Sequence, residues 1–190
     1  MNTANHLSRT EQFRAGEANG EHTIEGYFSV FDGVYDMGGG WTESVDPHAF
    51  DDALRGADVR ALLNHDTTLV LGRTTAGTLE LKTDEHGLYG KIRINPADTE
   101  AMNAWARVQR GDVDQASFGF EIEDEEGETR ADGGMHWIIK RVTLYEVSVC
   151  TFPAYETTAL TARHAERAAA EKRKGKIWLT AMRERIKQWH

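Results

Sequence analysis

The stretch MHWIIKRVTLYEVSVCTF, residues 135–152, is apolar on both of its faces when read with the two-residue period of a β-strand. A strand of that kind belongs in the interior of a barrel or sandwich and not at its rim. One residue breaks the pattern. Glu146 shares a face with Val142, Leu144, Ser148 and Cys150. A carboxylate among apolar neighbours is costly to bury unless it is paired. Its partner is either a cation on its own strand, Lys140 or Arg141, or a group from elsewhere in the chain.

Upstream, an acidic segment, EDEEGETRADGG (123–134), reads as a loop. It separates that run from QASFGFEI (115–122), in which Ala116, Phe118, Phe120 and Ile122 alternate with Gln115, Ser117, Gly119 and Glu121. Ser117 therefore lies on the face opposite the two phenylalanines. Further back, NPADTEAMNAWARVQRG (95–111) predicts a helix. Asp98 or Thr99 is its cap, Ala101, Met102, Trp105 and Val108 form its buried stripe, and Gly111 stops it. VDPHAFDDALRG (45–56) predicts a second helix, capped by Asp46, with Pro47 in its first turn, Gly56 at its end, and Phe50, Ala53 and Leu54 on one face. The remaining runs from residue 22 to 94 are short, β-rich and separated by turn signals, TDEHGLY (83–89) being a hairpin turn. GVYDMGGGW (33–41) is too rich in glycine for a regular strand and reads as a mobile loop. The fold class expected is mostly β with peripheral helices.

Residues 1–20 show no period and read as a flexible lead-in, 21–160 as the main domain, and 161–190 as a basic helical tail. The tail carries nine Lys/Arg against three Asp/Glu, whereas residues 1–160 carry 13 against 28, so a net charge of −9 hides a body at −15. So acidic a body is not drawn to nucleic acid by its general field. No run approaches the roughly 18 apolar residues of a membrane span. Cys150 is the single cysteine, so no intrachain disulfide forms, which fits a reducing compartment.

The chemistry is narrowed first by absences. No phosphate-binding glycine loop, dinucleotide fingerprint, H-E-x-x-H or paired C-x-x-C occurs, and the eight histidines are scattered. A metal or cofactor site is not expected. Serine hydrolysis needs a hydroxyl, a base, and a group that holds the base in one tautomer. Ser117 has the small Ala116 before it and Gly119 two residues on, which lets backbone approach a substrate. His65 ends the apolar run of VRALLNHD (59–66), where the chain turns out, and imidazole suits proton transfer near neutral pH. Glu146 is the orienting group, with Asp66 as its competitor. Patterns alone leave Ser117 open between a structural hydroxyl and a nucleophile, and Cys150 is the rival nucleophile, placed in an apolar strand that favours an inert thiol.

The segments EGYFSVFD, HAFDDAL, VRALLNHD, LGRTTAGTLEL, DEHGLYGKIRI, SFGF and LYEVSVCTFPAYETT occur in one order from residue 25 to 158. Together they resemble the HK97-type prohead serine proteases, the capsid maturation proteases of tailed bacteriophages. The resemblance implies the fold of the herpesvirus assembly proteases, a closed β-barrel surrounded by helices. It places the catalytic histidine at His65 and the nucleophile at Ser117, with Glu146 in the third position. It implies a serine endopeptidase that needs no cofactor, acting inside the assembling procapsid in the host bacterial cytoplasm. The implied substrates are the scaffold domain of the major capsid protein or a separate scaffolding protein, and the protease itself. The same analogy suggests a homodimer, the tail is a targeting or self-cleaved segment, and neither nucleic acid nor membrane is a partner. The alternatives are a non-catalytic capsid-assembly protein on the same fold, and a hydrolase of another ester or amide.

Overall fold

The computed structural model describes residues 4–5, 13–18 and 20–152; the expected tail (161–190) lies outside them. Eleven strands and one α-helix are found among the described residues. In chain order they are β1 (Ala4–Asn5), β2 (Arg14–Ala18), β3 (Glu21–Val30), β4 (Tyr35–Gly38), β5 (Trp41–Val45), β6 (Arg60–Leu63), β7 (Asp66–Arg73), β8 (Leu79–Thr83), β9 (Gly87–Ile94), α1 (Thr99–Arg110), β10 (Gln115–Thr129) and β11 (Met135–Cys150). The stretch expected to be a lead-in thus contains β1 and β2, the latter paired with β3.

The two-sided apolar run becomes β11, and it is interior. Along one edge it pairs antiparallel with β10. Along the other it takes two parallel partners in succession, β5 over Met135–Ile139 and β6 over Glu146–Val149. β4 extends this sheet beyond β5, β7 beyond β6, and β1 beyond β10. A second, antiparallel sheet runs β2-β3-β9-β8. The sheets share one core in which Phe28, Phe50, Phe118, Phe120, Ile24, Leu88, Ile92, Ile139, Val147 and Val149 are fully buried. Phe118 stacks on Phe120 with centroids 4.8 Å apart and meets Phe50 edge-on at 5.6 Å.

The closed barrel is not what forms. Among the described residues β4 and β8 each have a partner on one side only, and the first sheet forks where β5 and β6 share an edge of β11. Closure requires every edge to find a partner with a consistent stagger, and these edges do not. The architecture of the described residues is two open sheets around a common core, mostly β, with a single helix.

That helix follows its sequence signals. The Asp98 carboxylate accepts from the N–H groups of Glu100 and Ala101, Gly111 closes the helix at φ 83°, and Ala101, Ala104, Trp105 and Val108 are buried. The second expected helix does not form. Residues 47–56 are successive turns, with Ala49 N–H to Asp46 O, Asp51 to His48 and Arg55 to Asp52, and only Leu54 N–H reaching back four residues to Phe50 O. Phe50 and Ala53 are still buried as expected. Tertiary burial of these two side chains holds the segment without a continuous helical ladder.

Two expected loops are also strands. The glycine-rich 33–41 segment carries β4, and Gly38, Gly39 and Gly40 take φ of 79°, 64° and 83° in the turn to β5. Glycine supplies the left-handed backbone that such a turn needs. The acidic 123–134 segment continues β10 to Thr129 and turns only at 130–134. It pairs there with the half of β11 that holds Lys140 and Arg141, and Trp137 packs over the bare Cα of Gly127.

Candidate active site

The register of β10 on β11 sets Ser117 opposite Ser148 and Gly119 opposite Glu146, with a bulge between Gly119 and Phe120. Directly paired residues of antiparallel strands project to the same face, with Cβ atoms about 4.5–5.5 Å apart. Ser117, Gly119, Glu146 and Ser148 therefore share one face, opposite the buried Phe118 and Phe120. β6 lies on the far edge of β11, Leu63 pairing with Val149. The chain then turns at Asn64 and His65, which brings His65 back over the same face. Its Nδ1 lies 2.6 Å from Glu146 Oε1, and its backbone N–H donates to Ser148 Oγ at 3.2 Å. Ser148 Oγ in turn donates to Glu146 Oε2 at 2.5 Å.

Both oxygens of Glu146 are thus engaged, one by an imidazole and one by a hydroxyl. Lys140, an alternative partner for this carboxylate, pairs with Asp46 at 2.6 Å, and that hydrogen bond raises the lysine's pKa. Asp66 does not compete for His65. Its carboxylate accepts from Thr68 N–H at 2.8 Å and Thr68 Oγ at 2.6 Å, hydrogen bonds that lower its pKa. Cys150 is fully buried, and burial, reinforced by the charge of Glu146, pushes its thiol up to about 12. A thiol held neutral in this way is a poor nucleophile at physiological pH.

Gly119 contributes by having no side chain. A Cβ built on it would stand 2.5 Å from Glu146 Oε1 and 3.1 Å from its Cγ and Cδ. The carboxylate occupies the space that any other residue would fill. Sequence reading gave Gly119 a different role, close approach of a substrate, and placed Ser148 on the face of Glu146 without giving it a role. The available signals were the S-x-G and E-x-S spacings, which place each pair on one face of its strand.

The expected accessible serine is instead enclosed: Ser117 is 1% exposed, because both faces of β10 are covered at this level. Ser117 Oγ and His65 Nε2 are buried, and neither has a hydrogen-bond partner. A buried unpaired polar atom costs roughly 1–3 kcal/mol, and such atoms call for a functional explanation. With Nδ1 directed at the carboxylate, Nε2 is the nitrogen left to accept a proton, and a hydroxyl is the group able to give one. A surface pocket of about 400 Å³ lined by Asp52, Arg55, Glu123 and Arg141 includes none of these groups.

The family model described as Caudovirus prohead serine protease matches residues 9–173. This chain belongs to that family. It is 32% identical over 142 residues to the prohead protease of Enterobacteria phage HK97, a match that covers 73% of this chain and 59% of that protein. The chain thus spans less than two thirds of the length of this relative. No solved structure matches.

Replacing Gly119 by alanine should drive the Glu146 carboxylate off its seat. In proton NMR the downfield, hydrogen-bonded Nδ1 proton of His65 is expected in the native chain and lost in Gly119→Ala, with far-UV circular dichroism unchanged. A retained signal would show that the carboxylate does not need the gap. Cys150 should resist iodoacetamide at pH 8 in the folded protein and react once the protein is unfolded, since its thiolate becomes abundant only near pH 12. Equal labelling rates in the two states would contradict that burial.

Proposed function

We propose that this chain is a serine endopeptidase of phage procapsid maturation, with Ser117 as nucleophile, His65 as general base and Glu146 as the orienting carboxylate. The observation that carries the proposal is the 2.6 Å His65–Glu146 contact, on the face where the register places Ser117. Glu146 fixes the proton on Nδ1 and stabilises the imidazolium as it forms. His65 Nε2 accepts the Ser117 proton as Oγ attacks the peptide carbonyl, and it returns that proton to the leaving amine. Water then attacks the acyl-enzyme by the same route in reverse. Backbone N–H groups near Phe118 and Gly119, or one from a neighbouring loop, are the proposed donors to the oxyanion. No step calls for a metal or cofactor.

The proposed substrates are the scaffold domain of the major capsid protein, or a separate scaffolding protein, and the protease itself. The proposed place of action is the interior of the assembling procapsid in the host cytoplasm. Because the Ser117 hydroxyl exposes no surface here, a substrate must displace its cover before attack. The same enclosure favours a second reading, a non-catalytic assembly protein on this fold. Against it stands the carboxylate–imidazole pair, which engages Nδ1 of His65 and leaves its Nε2 without a hydrogen-bond partner.

Incubation with the capsid-protein precursor, followed by mass analysis of the products, separates the two. Cleavage should fall by roughly four to six orders of magnitude in Ser117→Ala, and persist in Cys150→Ala. Cleavage that survives the serine change would sink the assignment, and an inert native chain would favour the assembly protein.

A further inference from the structure

Asn64 and His65 are the two non-glycine residues at positive φ among the described residues, at 53° and 59°. They form the entire connection between paired Leu63 and Asp66, a two-residue hairpin turn. Positive φ at both central positions marks the mirror-image turn type whose favoured sequence is Asn-Gly. Asn64 suits the first position. His65 stands where the turn prefers glycine, and left-handed backbone costs an ordinary residue roughly 1–2 kcal/mol. Such strain persists only when the surroundings over-determine it.

The surroundings do so through the end of β11. Asn64 N–H donates to Val149 O at 3.0 Å. The Asn64 side-chain oxygen accepts from Thr151 N–H at 2.8 Å, and its amide nitrogen reaches Thr151 Oγ at 3.4 Å. Ser148 Oγ then takes the N–H of His65. The turn is bolted to the strand that carries Glu146, through the backbone and side chain of Asn64 and through the N–H of His65.

We infer that Asn64 and Ser148 are positioning residues that hold the strained turn so that His65 presents Nδ1 to Glu146 and Nε2 to Ser117. The inference rests on the protease reading above. Asn64 grips Thr151 and touches neither the carboxylate nor the nucleophile. Ser148 does double service, fixing the His65 backbone and the second oxygen of Glu146. A displacement of about 1 Å at the base can cost on the order of 100-fold in rate.

Asn64→Gly isolates the effect, because glycine takes the left-handed conformation freely and loses only the grip on Thr151. On a fluorogenic peptide carrying a cleavage sequence mapped on the capsid precursor, kcat is expected to fall by roughly 10- to 100-fold. KM and Tm should stay near their native values. Asn64→Asp keeps the acceptor for Thr151 N–H and tolerates positive φ, so it should recover most of the loss. Ser148→Ala should lower kcat with little change in KM, and it decides the matter if the glycine variant does not fold. Native kcat in both Asn64→Gly and Ser148→Ala would overturn the inference, as would an aspartate variant no better than the glycine one. Ser117→Ala in the same assay separates the failures. If that variant still cleaves, the protease reading fails; if it is dead while the turn variants are fully active, only the positioning role fails.

Discussion

The register of β10 against β11 determines where the hydroxyl, the carboxylate and the gap of the candidate site stand. A one-residue slip in a strand pair sends each side chain to the opposite face. In this register Gly119 faces Glu146 and Ser117 faces Ser148, while Phe118 and Phe120 go into the core. The two phenylalanines are what make a slip costly. Each fully buried aromatic anchors its strand, and both would have to exchange places with a serine and a glycine. The bulge after Gly119 lets the ladder resume beyond the site, with Phe120 opposite Leu144.

On that frame the site is built from three short pieces of chain. β10 supplies the hydroxyl and the gap, β11 the carboxylate and a second hydroxyl, and the turn after β6 the imidazole. The fork in the first sheet is what allows the third piece to arrive. β5 covers the first part of β11, leaving its last residues free to pair with β6 and receive the turn at Asn64 and His65. One edge of β11 thus takes two parallel partners, and the second of them delivers the histidine.

Much of this was legible in the sequence where a local pattern had one physical meaning. Asp98 and Gly111 bound α1, two-sided apolarity marked β11 as interior, and alternation set Ser117 apart from the phenylalanines. The oddity of a carboxylate in an apolar strand pointed to Glu146 and to its need for a partner. What was not legible depended on partners distant in the chain. Residues 47–56 have the caps of a helix, yet burial of Phe50 and Ala53 holds them as turns. The glycines at 38–40 look like a loop until β5 is seen to pair with β4. Nor does any local signal report that Gly119 makes room for Glu146, or that Asn64 and His65 adopt left-handed backbone.

The central claim is that Ser117 is made nucleophilic by the imidazole that Glu146 holds. Covalent trapping with a fluorophosphonate, with the modified peptide located by mass spectrometry, addresses it without requiring a substrate. The account predicts a single adduct on Ser117, formed by the native protein and not by His65→Ala. An adduct on another residue, or equal labelling with His65 removed, would contradict it.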